Sequence, residues 1–329
     1  MAQAIVTKHQ SSSMMFIGSW ASAMLVSAAF VMGLLTRSSA VLMPGGWEFA
    51  EECVHYVSNS ARVESLPDGL GDIITDTDPS DKQQRVLHLP PCPHEKARLT
   101  THPALGYYSD WVVDTVSKHK SIASMRSNWT VPKAPSSRGP LPGMSSVYFF
   151  NGLEDHGGHG SGTASIILQP VLSYGKSGCV LNPLAGWKFT AFQVTAAGRA
   201  YCGPSVSVDE GDQLQGSMEL IDKKTWRITA DAGSKGRSVH VVTADFKATV
   251  AYLTLEGMVI YSCSAFPSSK SISFTDNALT DIAGRTLTPR WQNEIRHTEC
   301  KPRVKPDGTT VEFIWDTAAP SDTSMSVLV

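Results

Sequence analysis

From residue 121 onward the apolar residues fall into short runs, several alternating with polar ones and each bounded by turn residues. "SSVYFFNG" (145–152), "TASIILQPV" (163–171), "GWKFTAFQVTA" (186–196), "KTWRITADAG" (224–233), "ATVAYLTLEGM" (248–258), "KSISFTD" (270–276) and "TTVEFIWDT" (309–317) are the clearest. Gly, Asp or Asn stands at nearly every junction. A period of two over so few residues predicts strands, and many short strands with no long helical stretch predict an all-β sandwich or barrel. Residues 41–120 lack this texture. They read as an irregular, loop-rich N-terminal extension with short helical stretches expected around 47–57 and 109–116, and a propeptide role is open.

Strand parity singles out two polar residues. Side chains alternate between faces, so Ser165, Ile167 and Gln169 share one side and Ile166, Leu168 and Pro170 the other. In the later run Ala251, Leu253 and Leu255 form an apolar face, and Tyr252, Thr254 and Glu256 a mixed one. Each strand thus sets one strong hydrogen-bonding group, an amide or a carboxyl, on a semi-polar side. Two such sides lining one concave sheet would bring Gln169 and Glu256 together. A pair of solvated sheet positions is the plainer reading of the same pattern.

The start of the chain changes the picture of its destination. Residues 14–35, "MMFIGSWASAMLVSAAFVMGLL", are nearly all apolar or small, and "SSA" at 38–40 offers a small-residue cleavage site. The run is also long enough to span a bilayer. A cleaved secretory signal is the first expectation and an uncleaved anchor the second; a membrane is a partner only in the second case. Six cysteines, with no Cys-x-x-Cys or zinc spacing, suit an oxidising compartment. Sequence proximity favours Cys53–Cys92, Cys179–Cys202 and Cys263–Cys300 among the fifteen pairings that six cysteines allow. Asn128-Trp129-Thr130 is a glycosylation sequon, which fits a secreted chain.

Composition excludes more than it identifies. The net charge is -2 over 329 residues, without a basic stripe, so nucleic acid is not an expected partner. Residues 41–120 carry 12 Asp/Glu against 7 Lys/Arg, which argues against a basic segment clamped onto an acidic core.

The order of motifs resembles the glutamic peptidases, the eqolisin family. "SNWTVPKAPSS" (127–137), "FNGLED" (150–155), "ILQPV" (167–171), "VSVDEGDQLQGSMEL" (206–220), "AYLTLEG" (251–257), "SKSISFTDNALT" (269–280) and "DGTTVEFIW" (307–315) follow one another as that family's strands do. The resemblance spans about residues 121–317, leaving 1–40 as signal or anchor, 41–120 as extension and 318–329 as a tail. It implies a two-sheet antiparallel β-sandwich, a concanavalin-like double jelly roll. It also implies an acid-acting endopeptidase with Gln169 and Glu256 as catalytic dyad, polypeptide substrates, no cofactor, no metal and a monomer. Glu256 would take a proton from a water and return it to the leaving amine, while Gln169 donates to the oxyanion. Tyr148, Glu154, Trp187 and Tyr252 are the candidate substrate-binding residues. Glu154 stands where the family usually has Asp, and "GWKFTAFQV" keeps only part of the family's aromatic strand through Trp187, Phe189 and Phe192.

Other chemistries remain open at this level. Asp155, His156 and His159 lie close in a Gly-rich loop where a metal is conceivable, but such loops are more often solvated borders of a groove. No Gly-x-Ser-x-Gly elbow or His-Glu-x-x-His helix occurs. A glycan-binding concanavalin-like module would keep Gln169 and Glu256 for sugar hydroxyls. A glycosidase would need a second carboxyl, with Glu154 and Glu219 as candidates.

Overall fold

The computed structural model describes residues 40–44, 47–66, 70–77, 82–92, 97–98, 108–137, 145–155, 166–175, 178–179, 186–195 and 198–318. Within them the backbone forms twenty-three strands, numbered in chain order, three short 3-10 turns and no α-helix. The hydrophobic segment 14–35, the loop 156–165 and residues 319–329 lie outside the described residues.

Two large sheets pack face to face. The first runs β21 (Gln292–Ile295), β8 (Tyr108–Lys118), β18 (Val250–Ile260), β10 (Ser146–Glu154), β11 (Ile166–Tyr174), β12 (Trp187–Thr195), β13 (Ala200–Cys202), β3 (Val54–Tyr56), with β14 (Val206–Val208) also on β12. The second runs β22 (Arg303–Asp307), β23 (Thr310–Ile314), β19 (Ser271–Thr280), β9 (Ser124–Thr130), β15 (Gln213–Leu220), β16 (Thr225–Asp231), β17 (Arg237–Thr243), β4 (Arg62–Ser65), β5 (Asp72–Thr77), β6 (Gln84–Leu89), with β20 (Thr286–Leu287) beside β19. Both ladders are antiparallel except where β3 joins β13 and β4 joins β17. A third, three-stranded sheet joins β1 (Ala40–Met43), β2 (Trp47–Ala50) and β7 (Ala97–Arg98). The all-β sandwich is therefore present.

The core between the two large sheets is what parity predicts. Phe149, Leu168, Leu172, Phe189, Leu253 and Leu255 come from one sheet, and Trp129, Met218, Trp226, Ile228, Phe274 and Phe313 from the other. Each is buried, and burying such a side chain is worth about 1.5–3 kcal/mol. Two buried amides cross this core. Asn151 Nδ2 donates to the Gly216 carbonyl at 3.1 Å, and Gln193 Oε1 lies 2.8 Å from His240 Nε2.

The expected helices at 47–57 and 109–116 do not form. The first stretch is β2, a 3-10 turn at Glu51–Cys53, and β3. The second lies inside β8, where Val113, Thr115 and Val116 are β-branched and pair with β18. Nor does the sandwich begin at residue 121. β3 extends one sheet edge, β4–β6 extend the other, and β8 sits between β21 and β18. These strands exist because a neighbouring edge accepts them, which local periodicity does not report.

Cys53 pairs with Cys92, Cys179 with Cys202 and Cys263 with Cys300, with Cα separations of 5.8, 5.6 and 5.4 Å. These are the pairings that sequence proximity favours. Among the described residues no helix is long and apolar enough to cross a membrane.

Candidate active site

The sheet containing β10, β11 and β18 buries both of its faces. Every residue of those three strands is buried. The side turned away from the inter-sheet core carries Trp111, Val116, Tyr148, Phe150, Ile167, Val171, Phe192, Tyr252 and Met258 in one apolar cluster. Met43 of β1 and Phe49 of β2, 0% and 1% exposed, belong to the same cluster, so the small sheet covers this side.

Several polar residues, carboxyls and an amide among them, are buried on the covered side. They include Asp114 on β8, Glu154 on β10, Gln169 on β11, and Thr254 and Glu256 on β18, none more than 1% exposed. Parity was thus a sound guide: Gln169 and Glu256 do share one side of one sheet. Register separates them along it. β10 lies between β11 and β18, and the pairs Phe150–Val171 and Leu153–Leu168 set Gly152 opposite Gln169. Gly152 in turn pairs with Tyr252, whereas Glu256 pairs with Tyr148. Glu256 is therefore two strands and four residues from Gln169, about 16 Å between Cα atoms at normal strand spacing. The expected convergence of these two side chains on one water is corrected accordingly.

Two other residues stand nearer the amide. Tyr252 is in line with Gln169, and its ring lies over Gly152. A Cβ on that glycine would sit 2.1 Å from Tyr252 Cζ and 2.2 Å from the hydroxyl, which is why the position is glycine. Glu154 follows two residues later on β10, a diagonal neighbour of Gln169 at about 7–8 Å between Cα atoms. The Gln169 amide nitrogen and oxygen and the Tyr252 hydroxyl make no hydrogen bond to the described residues.

Burial dominates the electrostatics. It drives the Tyr252 phenol well above its ordinary pKa of 10, reinforced by the negative charges of Glu154, Glu256 and Asp114. Tyr148 is raised by burial and then by Glu256. Burial also raises the Asp114 carboxyl to about 7, despite Arg296 at 3.6 Å. That guanidinium lies 5.4 Å from the centre of the Trp111 ring.

The remaining candidates separate cleanly. Tyr148 and Tyr252 face the covered side. Trp187 does not: it packs in the inter-sheet core against Phe149 and Tyr174, because Trp187, Phe189 and Ala191 form the apolar set of β12. Its proposed contact with substrate is corrected. Asn128 lies mid-strand on the second sheet, donating to Asp276 at 2.8 Å and accepting from Gln215 at 3.0 Å. Glu219 is on that same sheet, paired at 3.6 Å with Arg227. Glu154 and Glu256 are six register positions apart on neighbouring strands, about 20 Å, well beyond the 5–9.5 Å of a glycosidase pair. His156 and His159 fall outside the described residues.

Asp114 was missed from sequence because its segment was read as helical. The signal was there, since "DWVVDTV" interrupts a β-branched run with a carboxylate much as "IILQPV" interrupts one with an amide.

No family model matches the chain, and no curated protein matches it. Solved structures do. One is SCP-B, a member of the eqolisin family of peptidases in complex with the tripeptide Ala-Ile-His, at 14% identity and a TM-score of 0.45. The match covers 63% of this chain and 99% of that one. Aspergilloglutamic peptidase from Aspergillus niger is similar at 17% identity and a TM-score of 0.35, over 52% of this chain and 98% of that one. The PL7 alginate lyase AlyA1 from Zobellia galactanivorans is similar at 10% identity and a TM-score of 0.27, over 68% and 95%.

Proposed function

We infer that the chain is a secreted, acid-acting endopeptidase that hydrolyses peptide bonds at the covered side around Gln169, with a glutamate as general base. The observation that carries this reading is the Gln169 amide. It is 1% exposed, has no hydrogen-bond partner among the described residues, and stands beside Glu154 on the neighbouring strand. A buried amide without a partner costs about 1–3 kcal/mol, and a hydrogen-bonding substrate recovers that loss. A carboxylate beside it takes a proton from water as the water attacks the scissile carbonyl, and then passes it to the leaving amine. Gln169 donates to the developing oxyanion. A carboxyl that cycles between base and acid favours an acid optimum.

Register favours Glu154 over Glu256 as that carboxyl. β1 and β2 lie over the site, so substrate entry requires their displacement. This gives the first part of the extension a covering role consistent with a propeptide. Secretion rests on the apolar segment 14–35 together with the three disulfides, and glycosylation of Asn128 goes with it.

The test is digestion of a denatured protein by the full chain at about pH 4, comparing wild type with Q169A, E154Q and E256Q. Q169A should lose about 10²–10³-fold in kcat, E154Q more, and E256Q least. Equal turnover by wild type and Q169A overturns the reading. A wild-type chain with no turnover that binds glycan through the same face supports the binding-module alternative.

A further inference from the structure

Tyr252 occupies the place that a simple amide–carboxyl pair leaves unexplained. It is fully buried, it is the β18 residue in line with Gln169, and its ring crosses β10 directly above Gly152. Its hydroxyl therefore lies over the strand between β18 and β11, one strand spacing, about 4.8 Å, from the line of Gln169. A phenol used only for packing would be better replaced by phenylalanine, since a buried O–H without a partner is costly. This O–H has none among the described residues, and neither does the facing amide.

We propose that the Tyr252 phenol and the Gln169 amide together bind the carbonyl oxygen of the scissile bond, so that Tyr252 is a catalytic residue. The proposal rests on the peptidase reading above. Both groups stand on the same side of the sheet, on the strands either side of Gly152. Two donors on one developing oxyanion form the arrangement that stabilises a tetrahedral intermediate. The surroundings keep the phenol a donor, because burial opposes its ionisation.

The step balances without any other reactant. Water adds through its oxygen to the carbonyl carbon while Glu154 takes one of its protons. The carbonyl electron pair moves onto oxygen, held by Tyr252 O–H and Gln169 N–H. The C=O bond re-forms, the C–N bond breaks, and Glu154 returns the proton to the amine nitrogen. The products are a carboxylic acid and an amine, and Tyr252 keeps its proton throughout.

Y252F tests this directly, because it keeps the ring over Gly152 and removes only the hydroxyl. On the full chain kcat should fall about 10²-fold with KM unchanged. Affinity for a phosphinate peptide, whose tetrahedral centre carries an oxyanion, should fall by about the same factor, while affinity for the matching substrate peptide holds. Wild-type turnover that depends on Gln169, with Y252F indistinguishable from wild type, overturns this inference and leaves the peptidase reading standing. A wild-type chain that neither cleaves peptide nor binds the phosphinate overturns both.

Discussion

The two large sheets are built from strands of similar length and placed back to back, yet their outer sides have opposite fates. β15 and β16 largely alternate buried with accessible residues, and Gln213, Gln215 and Arg227 meet solvent. β10, β11 and β18 bury every residue, because Met43 and Phe49 close over the far side. A polar residue on the open sheet costs little, since water satisfies it. On the covered sheet each of Asp114, Glu154, Gln169 and Glu256 is held against a desolvation penalty. The comparison teaches where chemistry is to be sought: among polar groups kept where plain packing would discard them.

The strongest way to break this contrast is to open the cover. F49A removes a fully buried aromatic ring and should cost about 3–5 kcal/mol. Much of that loss should appear as faster amide exchange in β10, β11 and β18, with exchange in β15 and β16 little changed. An F49A chain with the exchange pattern of wild type would show that β1 and β2 are not the cover.

Acidification sharpens the contrast through two groups of opposite sign. Asp114 on the covered side titrates at about 7 in the fold, against about 3.9 in an unfolded chain. The folded chain binds its proton first, so this contribution is fully present below about pH 4 and is lost as pH rises through about 7. His240, in the inter-sheet core, is lowered by burial to about 3 from its usual 6.5. There the unfolded chain binds its proton first, so stability falls as pH drops from about 6.5 toward 3. Urea midpoints between pH 4 and pH 7 should therefore shift oppositely in D114N and H240Q: D114N loses the gain on acidification, and H240Q loses the penalty.

A smaller effect comes from the amide itself. Q169M fills the same space without the unsatisfied polar atoms and should stabilise the chain by about 1–2 kcal/mol, read as a higher urea midpoint. A destabilised Q169M would mean that the amide has a structural role. Smallest of all is the open sheet. E219Q breaks only the exposed 3.6 Å contact with Arg227 and should change stability by less than about 0.5 kcal/mol.

Much of the sandwich was legible because period-two runs leave few alternatives, and the shared side of Gln169 and Glu256 followed from parity alone. Position along that side did not. It depends on which strand lies between them and in what register, and no local pattern encodes that Gly152 faces both Gln169 and Tyr252. Trp187 was legible and misread, for its alternation with Lys188 and Thr190 already assigns it to the core. The strands before residue 121 were hidden for another reason. β3 and β4 are short, and they are held by parallel pairing to β13 and β17, partners more than 140 residues away in sequence.

Those same two parallel joints bear on how the chain behaves in solution. By docking on β13 and β17 they occupy backbone N–H and C=O groups that would otherwise form raw sheet margins, templates for the strand of another molecule. A molecule trimmed past Ser65 would expose both margins at once and should self-associate, so any processing of the N-terminus that preserves solubility has to stop before β3.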